Sequence, residues 1–313
     1  MPLAINENEP LAKYTSWRIG GPAHFFANVG DPDGLAEALA WAHARELPAF
    51  LLGGGTNLLV RDTGFGGLVL RYRDQRVLVE ADGDAGRAWV AAGAPMAGTA
   101  RRLAGQGWAG LEWAEGLPGT IGGAVFGNAG CYGGDIAGAL RRAWLLVGGQ
   151  TEEWPAERLG FGYRTSVLKA TAKNQELRTE NPLTSGGSQF SVLSSRPIVL
   201  AAEFALRRAD PRELAERMER TAAERKRKTP WGSSCGSVFK NPPGDSAGRL
   251  IEAAGMKGAR VGAAEVAQKH ANYIVNLGGA SSDDVLRLAE LVRERVLREF
   301  GVGLELEVQV LGG

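Results

Sequence analysis

Between Gly116 and Gly134 the chain reads GLPGTIGGAVFGNAGCYGG: eight glycines in nineteen residues and no charged side chain. Glycine opens positive φ to the backbone and lets it approach another surface closely. Each interior glycine costs a helix about 1 kcal/mol against alanine, so this run is not expected to be helical. Ile121, Val125, Phe126 and Tyr132 punctuate it, which separates it from a disordered linker. Two readings follow. It is a wall of backbone N–H and C=O groups facing a large, flat, polar-edged ligand, or it is a set of tight turns in a β-rich domain.

A second run favours the ligand. Ala49–Leu52 is a short apolar strand candidate that leads into Gly53-Gly54-Gly55-Thr56-Asn57, after which Leu58-Leu59-Val60 is apolar again. Successive N–H groups in a glycine turn form a concave nest for anionic oxygens, and Thr56 and Asn57 add side-chain donors. A phosphate or pyrophosphate is the natural guest. No Gly-Lys-Ser/Thr follows, so this is not a P-loop, and no G-x-G-x-x-G opens a helix here as in a Rossmann fingerprint. Two glycine walls point to a dinucleotide held by an unusual fold.

At 313 residues the chain can build two or three domains with their own cores. The first 150 residues alternate strands and helices. A helix is expected over Asp33 to Glu46 with Asp33 near its N-cap, and another over Met96 to Ala104. Strands are expected at Gly67–Tyr72, Val77–Glu80, Ala88–Ala92, Arg142–Val147 and Ile198–Leu206. Residues 170–195 are polar and aperiodic and read as a surface excursion. A long helix runs from Asp210-Pro211 to Lys228, ending in the basic run Arg225-Lys226-Arg227-Lys228, which reads as a solvated face or a small anion site. Arg249–Ala254 reads as a short helix and Tyr273-Ile274-Val275 as a strand. Ser281 or Ser282 caps a last helix with the stripe Val285, Leu288, Val292, Val296 and Phe300. Leu304 to Val310 alternates like a strand.

Net charge is +1, so nothing draws the whole chain to nucleic acid or to a membrane. No apolar run approaches the roughly 20 residues of a membrane span, and Met1 to Glu9 does not read as a signal peptide. Cys131 and Cys235 lie far apart and His24, His43 and His270 are scattered, so no metal site or disulfide framework is expected. A cytosolic, metal-free protein is the default. Gly232 to Gly236 satisfies G-x-S-x-G, with Asp245 and His270 following in serine-hydrolase order. A basic helix and Pro230 precede it and a strand-like segment follows, the reverse of the strand–turn–helix context that motif needs.

Taken together, several motifs resemble one family. They are Trp17-Arg18-Ile19-Gly20-Gly21-Pro22-Ala23, GGGTNLLV, GLPGTIGGAV with Asn128-Ala129-Gly130, Tyr163-Arg164, GSVFKNP, KHANYIVN and the closing Leu-Glu-Leu-Glu-Val. In this order, over roughly Tyr14 to Gly312, they resemble the UDP-N-acetylenolpyruvoylglucosamine reductases, flavin enzymes that make UDP-N-acetylmuramate for bacterial peptidoglycan. The resemblance implies an α+β chain of α/β subdomains. These form a vanillyl-alcohol-oxidase/PCMH-type FAD-binding fold followed by a C-terminal substrate-binding α/β domain. The FAD domain would be 1–209, in two subdomains of roughly 1–72 and 73–209. The substrate domain would be 210–313, with 304–313 returning to the FAD domain.

The same resemblance implies FAD as cofactor and NADPH as hydride donor. Gly53, Gly54, Gly55, Thr56, Asn57 and Leu58 would face the pyrophosphate. Gly119, Thr120, Ile121, Gly123, Asn128 and Ala129 would line the cofactor further along. Hydride would pass from NADPH to FAD N5, and from there to C3 of the enolpyruvyl group. Arg164 would stabilise the enolate charge through its permanently charged fork. Glu307 would act in the same cluster, and Ser237 would protonate C2 in a preorganised site. Lys228 and Asn241 match substrate contacts. A cytoplasmic monomer is expected. Long forms of the family carry a tyrosine loop over the substrate. This chain is nearer the short forms at its C-terminal end, yet its 170–195 stretch is longer than a short form needs. Cys235 stands where the motif often has alanine and reads as packing. Another flavin oxidoreductase on this fold, or a flavin-binding protein without turnover, would share the glycine walls. Neither would need the GSVFKNP serine together with the C-terminal glutamate.

Overall fold

A computed structural model describes residues 3–170 and 196–313. The polar stretch expected as a surface excursion lies, Ala170 apart, outside them. By compactness the chain divides into two units: Met1–Asn6, Phe25–Gly54 and Gly67–Glu224 form one, and Glu7–His24, Gly55–Gly66 and Arg225–Gly313 form the other.

The first unit is built on an antiparallel sheet. Its order is Gln150–Pro155, Leu140–Val147, Ile198–Arg208, Ala85–Ala91 and Val77–Asp82, with Trp108–Ala109 pairing the end of the long central strand. Side chains alternate across a strand. Val90, Ala202 and Ala143 share one register row and are fully buried, whereas the neighbouring row holds Trp89, Glu203 and Arg142. Glu203 is 6% exposed and accepts two bonds from Arg142 at 3.1 Å, so its charge is not left unpaired. Helix Pro32–His43 buries Leu35, Ala38, Leu39 and Ala42. After it, Ala49–Leu52 runs parallel to Phe65–Tyr72, with Phe50 opposite Val69. Each such fully buried Leu, Val or Phe contributes about 1.5–3 kcal/mol over exposure.

Two expectations in this unit need correction. The first helix runs over Pro32–His43 and not Asp33 to Glu46, with Asp33 in its first turn and Asp31 as its N-cap, accepting from Gly34 N–H at 2.8 Å. Pro32 explains the shift, because its fixed φ and missing N–H suit the first helical position. More consequentially, the glycine-rich run does contain a helix, Ile121–Gly127. Propensity loses to packing here. Ile121 and Val125 are fully buried, and the helix packs on the strands Ile198–Arg208 and Ala85–Ala91. A Cβ on Gly122 would stand 2.9 Å from Ala92 Cβ, so the glycine that weakens the helix is what lets it seat.

The second unit has a parallel pair, Leu58–Val60 with Gln309–Leu311. It also has an antiparallel meander of Arg260–Val261, Ala264–Val266 and Ile274–Asn276. Ala247–Ala253 and Ser282–Phe300 are its helices. Ser281 and Asp284 form a reciprocal capping box at the start of the latter. Val285, Leu288, Val292 and Val296 are buried as their spacing requires, but Phe300, the last of the expected stripe, is 40% exposed. The closing segment is not one continuous strand. Only Gln309–Leu311 pairs as a strand, and Leu306 makes an isolated antiparallel bridge with Phe239. Trp17, Ile19 and Leu59 pack into the same core as Val238, Phe239 and the last helix, and the Trp17 indole N–H donates to Ile274 O at 2.7 Å.

Candidate functional site

Within the first unit the two glycine runs meet. A Cβ on Gly53 would stand 3.0 Å from Thr120 Oγ1. Thr120 is the N-cap of Ile121–Gly127, its hydroxyl accepting from Gly123 N–H at 3.4 Å. Gly119 O accepts from Met96 N–H at 3.0 Å, tying the turn to the start of the helix Met96–Gly105. Gly54 and Gly123 are exposed, and Gly53, Gly119 and Thr120 half-buried. This face is therefore backbone with one hydroxyl, a cradle that side chains would fill.

The end of that helix positions a third expected residue. Asn128 takes the left-handed conformation at φ 44 and is buried. Its Nδ2 donates to Gly162 O and its Oδ1 accepts from Ala137 N–H, both at 3.0 Å. Ser166 Oγ donates to Phe126 O at 2.7 Å. These bonds fasten the turn Gly162–Thr165, whose ends exchange N–H···O=C bonds of 3.1 and 3.2 Å. Arg164 sits in this turn at φ 55, half-buried, and its carbonyl accepts from Lys169 Nζ at 3.0 Å. A left-handed non-glycine residue costs about 1–2 kcal/mol and persists only where its surroundings determine it. The anchoring by Asn128 and Ser166 is that determination.

Not every expected cofactor residue presents a group outward. Ile121 is fully buried and its N–H donates to Ala94 O at 2.9 Å. Ala129 N–H donates to Ala124 O at 2.9 Å, and both polar atoms of the Asn128 amide are taken up by backbone. These three support the wall. In the second unit Leu58 is 4% exposed and its carbonyl accepts from the Cys235 thiol at 3.3 Å. Burial pushes that thiol up to about 12, which agrees with Cys235 as packing.

Also in the second unit, Asn57, Ser237 and Glu307 come together. Asn57 O accepts from Gln309 N–H, and its Nδ2 donates to Glu307 O, both at 3.0 Å. On the other side, Glu307 N–H donates to Val238 O at 2.8 Å and Lys240 N–H to Glu305 O at 2.9 Å. Ser237 is thus one residue from the backbone atom that holds Glu307. Asn272, which sequence reasoning did not single out, completes the clamp. It is 4% exposed, its carbonyl accepts from Val238 N–H at 2.8 Å, and its amide exchanges bonds of 2.9 and 2.8 Å with Phe239. Its signal was the Asn inside KHANYIVN, an amide in the turn just before the strand Ile274–Asn276.

Asn241 is exposed and its Oδ1 accepts from Ala247 N–H at 3.0 Å. Lys226, Arg227 and Lys228 are exposed at the end of the long helix, Pro211–Lys228, and Lys269 Nζ donates to Lys226 O at 2.7 Å. The hydrolase-like constellation does not assemble. Asp245 pairs with Arg249 and His270 Nδ1 accepts from Asn272 N–H at 3.3 Å, so the two are engaged apart from each other and not in a relay to Ser234. The Arg249 guanidinium holds the Asp245 carboxyl at about 2. Among the described residues no group of three or more His, Cys, Asp or Glu could hold a metal ion, and no helix is long and apolar enough to cross a membrane.

Comparisons with known proteins agree with this geometry. Residues 227–311 match the family model "UDP-N-acetylenolpyruvoylglucosamine reductase, C-terminal domain", and residues 23–146 match "FAD binding domain". The chain is 54% identical over 312 residues to the UDP-N-acetylenolpyruvoylglucosamine reductase of Chloroflexus aggregans, covering 99% of each. It is 44% identical to that of Rubrobacter xylanophilus, covering 99% of this chain and 96% of the relative. Among solved structures it resembles the UDP-N-acetylenolpyruvylglucosamine reductase of Thermus caldophilus, with a TM-score of 0.76, 35% identity and 99% coverage of both chains. The 6-hydroxy-D-nicotine oxidase of Arthrobacter nicotinovorans, at TM-score 0.54 and 13% identity, shares the fold. The expected vanillyl-alcohol-oxidase/PCMH-type FAD-binding fold with a C-terminal domain is thus the one found.

Proposed function

Because the chain belongs to the UDP-N-acetylenolpyruvoylglucosamine reductase family, we propose that Arg164, Ser237 and Glu307 carry its reaction. The protein is a flavin-dependent oxidoreductase of peptidoglycan synthesis. It reduces UDP-N-acetylenolpyruvoylglucosamine to UDP-N-acetylmuramate with NADPH. Bound FAD supplies the hydride relay between NADPH and the enolpyruvyl double bond. The residues present fit that group on one observation: where Gly53 faces Thr120 a Cβ at Gly53 would crowd Thr120 Oγ1 at 3.0 Å, and the backbone of Gly54 beside it is exposed. Gly53, Gly54, Gly55, Thr56 and Asn57 would hold the pyrophosphate, and Gly119, Thr120 and Gly123 the rest of the cofactor.

The observation that supports the reading is the hydrogen bond from Glu307 N–H to Val238 O, which ties the segment of the carboxylate to the residue that follows the proposed proton donor. As negative charge develops at C2 of the substrate, Arg164 stabilises it with a fork that needs no reorganisation at that moment. Ser237 Oγ–H then gives its proton to C2. A serine hydroxyl is a weak acid, so its service depends on the clamp of Asn272 and the segment of Glu307 holding its neighbours in place. Residues 1–209 serve the cofactor and 210–313 the substrate, and the protein works as a cytoplasmic monomer without nucleic acid or membrane.

Two outcomes test this reading. The protein should purify yellow, with FAD that acid precipitation releases into the supernatant. Colour retained on the precipitated polypeptide would mean a covalent link, with Cys131 the residue to suspect. Lys228 should contact the substrate's diphosphate, so Lys228→Ala should raise the KM for the enolpyruvyl sugar about tenfold or more, the worth of one charge-assisted bond, and leave that for NADPH near wild type. Equal rises in both constants would mark Lys228 as structural.

A further inference from the structure

We infer that Ser166 and Lys169 are positioning residues for Arg164, mounting its turn on the helix Ile121–Gly127 of the cofactor wall. This rests on the role proposed above for Arg164. The turn Gly162–Thr165 closes on itself through the two bonds that Gly162 and Thr165 exchange, of 3.1 and 3.2 Å. Those bonds set its shape but not its place. Arg164 takes its left-handed φ of 55 inside this turn, so the guanidinium goes wherever the turn is held.

Two ties hold the turn, and both end at the C-terminus of one helix. On the Gly162 side, Asn128, the left-handed cap of Ile121–Gly127, donates to Gly162 O at 3.0 Å. On the Thr165 side, Ser166 Oγ donates to Phe126 O at 2.7 Å. A helix leaves its last four carbonyls without an intrahelical partner, and Phe126 O is one of them. Ser166 is 1% exposed, which keeps water from replacing its hydroxyl.

The same oxygen also accepts. Lys169 N–H donates to Ser166 Oγ at 3.4 Å and Ala170 N–H to Ser166 O at 2.9 Å, so Ser166 caps the helical turn that begins at Val167. That turn brings Lys169 back over the loop, where its Nζ donates to Arg164 O at 3.0 Å. One hydroxyl thus joins the end of one helix to the start of the next, and the lysine that it caps into place grips Arg164 itself. At the far end of Ile121–Gly127, Thr120 faces Gly53. The helix is a strut of about 10 Å, at 1.5 Å per residue, with the glycine cradle at one end and the turn of Arg164 at the other.

The test is a double-mutant cycle on the FAD-loaded enzyme, read by stopped-flow absorbance of the flavin. Ser166→Ala should slow reoxidation of the reduced flavin by saturating enolpyruvyl sugar about tenfold to a hundredfold, the cost of misplacing a reacting partner by about an ångström. Lys169→Met, at a half-buried position, should slow it about tenfold, the worth of one hydrogen bond from a charged group. FAD content, reduction by NADPH and the half-saturating sugar concentration should stay near wild type. In an Arg164→Ala background, itself slow, neither substitution should slow reoxidation further, because each acts through Arg164; a purely structural role would cost the same factor in both backgrounds. Hydrogen exchange gives a readout apart from turnover. The amides of Gly162 and Thr165 should exchange faster in both variants, while those of Ile121–Gly127 keep their protection. Should Ser166→Ala fail to fold, Lys169→Met carries the cycle with the same outcomes. Wild-type reoxidation in the variants, unchanged exchange at Gly162 and Thr165, or slowing that persists undiminished beside Arg164→Ala overturns the assignment. Arg164→Ala reoxidised at wild-type speed would instead remove the role of Arg164, and the positioning with it.

Discussion

Ser237→Ala should leave FAD binding and FAD reduction by NADPH near wild type, and slow reoxidation of the reduced flavin by the enolpyruvyl sugar about 10²–10⁴-fold. The two half-reactions share one flavin, but a proton donor to C2 is needed only in the second. The fold separates the effects as well. Val238 and Phe239 are held by backbone bonds to Asn272 and Glu307 that the substitution does not touch. The loss should therefore be chemical and not structural. Ser237→Cys should recover part of the rate, because a thiol can still deliver a proton. Stopped-flow absorbance of the flavin resolves the two halves. Equal slowing in both, or reoxidation at wild-type speed, would remove Ser237 from the acid role and leave Glu307 as the next residue to test.

Gly55→Ala should be the most damaging single methyl group in the glycine nest. The residue sits at φ 60, and an added Cβ would stand 1.9 Å from Tyr14 O, a backbone atom that cannot turn aside. The same turn is fixed by Ser16 N–H donating to Gly55 O at 3.0 Å. Left-handed strain and the overlap together should cost about 3–5 kcal/mol. At about 2–4 °C per kcal/mol for a chain of this size, melting should fall by roughly 10 °C. FAD content on purification should fall with it, since Thr56 and Asn57 follow directly. Gly66→Ala is the control: its Cβ would meet nothing within 4 Å, and it should melt within about a degree of wild type. A Gly55→Ala protein that melts with the control and keeps its FAD would mean the turn is not built this way.

How much of this could be read from the residues depended on the kind of interaction. Apolar periodicity marked the last helix, because burial leaves its imprint on every third and fourth residue, and a nearly continuous apolar run marked the strand Ile198–Arg208, buried on both faces over its first seven residues. The glycine runs were legible as bare backbone, and the structure brings Gly53 of one against Thr120 of the other. The helix inside the second run was not legible. Its stability comes from Ile121 and Val125 in the core and from Gly122 against Ala92, contacts with residues distant in sequence. The helix begins one residue earlier than expected, with Asp31 as its cap, because Pro32 suits the first helical position. In the candidate site, Ser237, Glu307 and Asn57 could be nominated from motifs, but their shared backbone ladder could not. Asn272 was hidden for the same reason: its amide satisfies groups more than thirty residues away, and no local pattern announces that.

The parallel pair of Leu58–Val60 with Gln309–Leu311 has a consequence for synthesis. Translation delivers every residue of the first unit before Arg225 is added, while the second unit still lacks its largest segment. Through that interval Trp17, Ile19 and Leu59, each no more than 3% exposed in the finished protein, have none of their later core partners to cover them. Leu58–Val60 meanwhile waits for Gln309–Leu311, which is made only after the rest of the second unit's core. Such a nascent chain exposes apolar surface for as long as elongation takes, at a rate of about 5–20 residues per second. Gln309–Leu311 acts as the closing stitch, and without it Leu58–Val60 would keep an open edge.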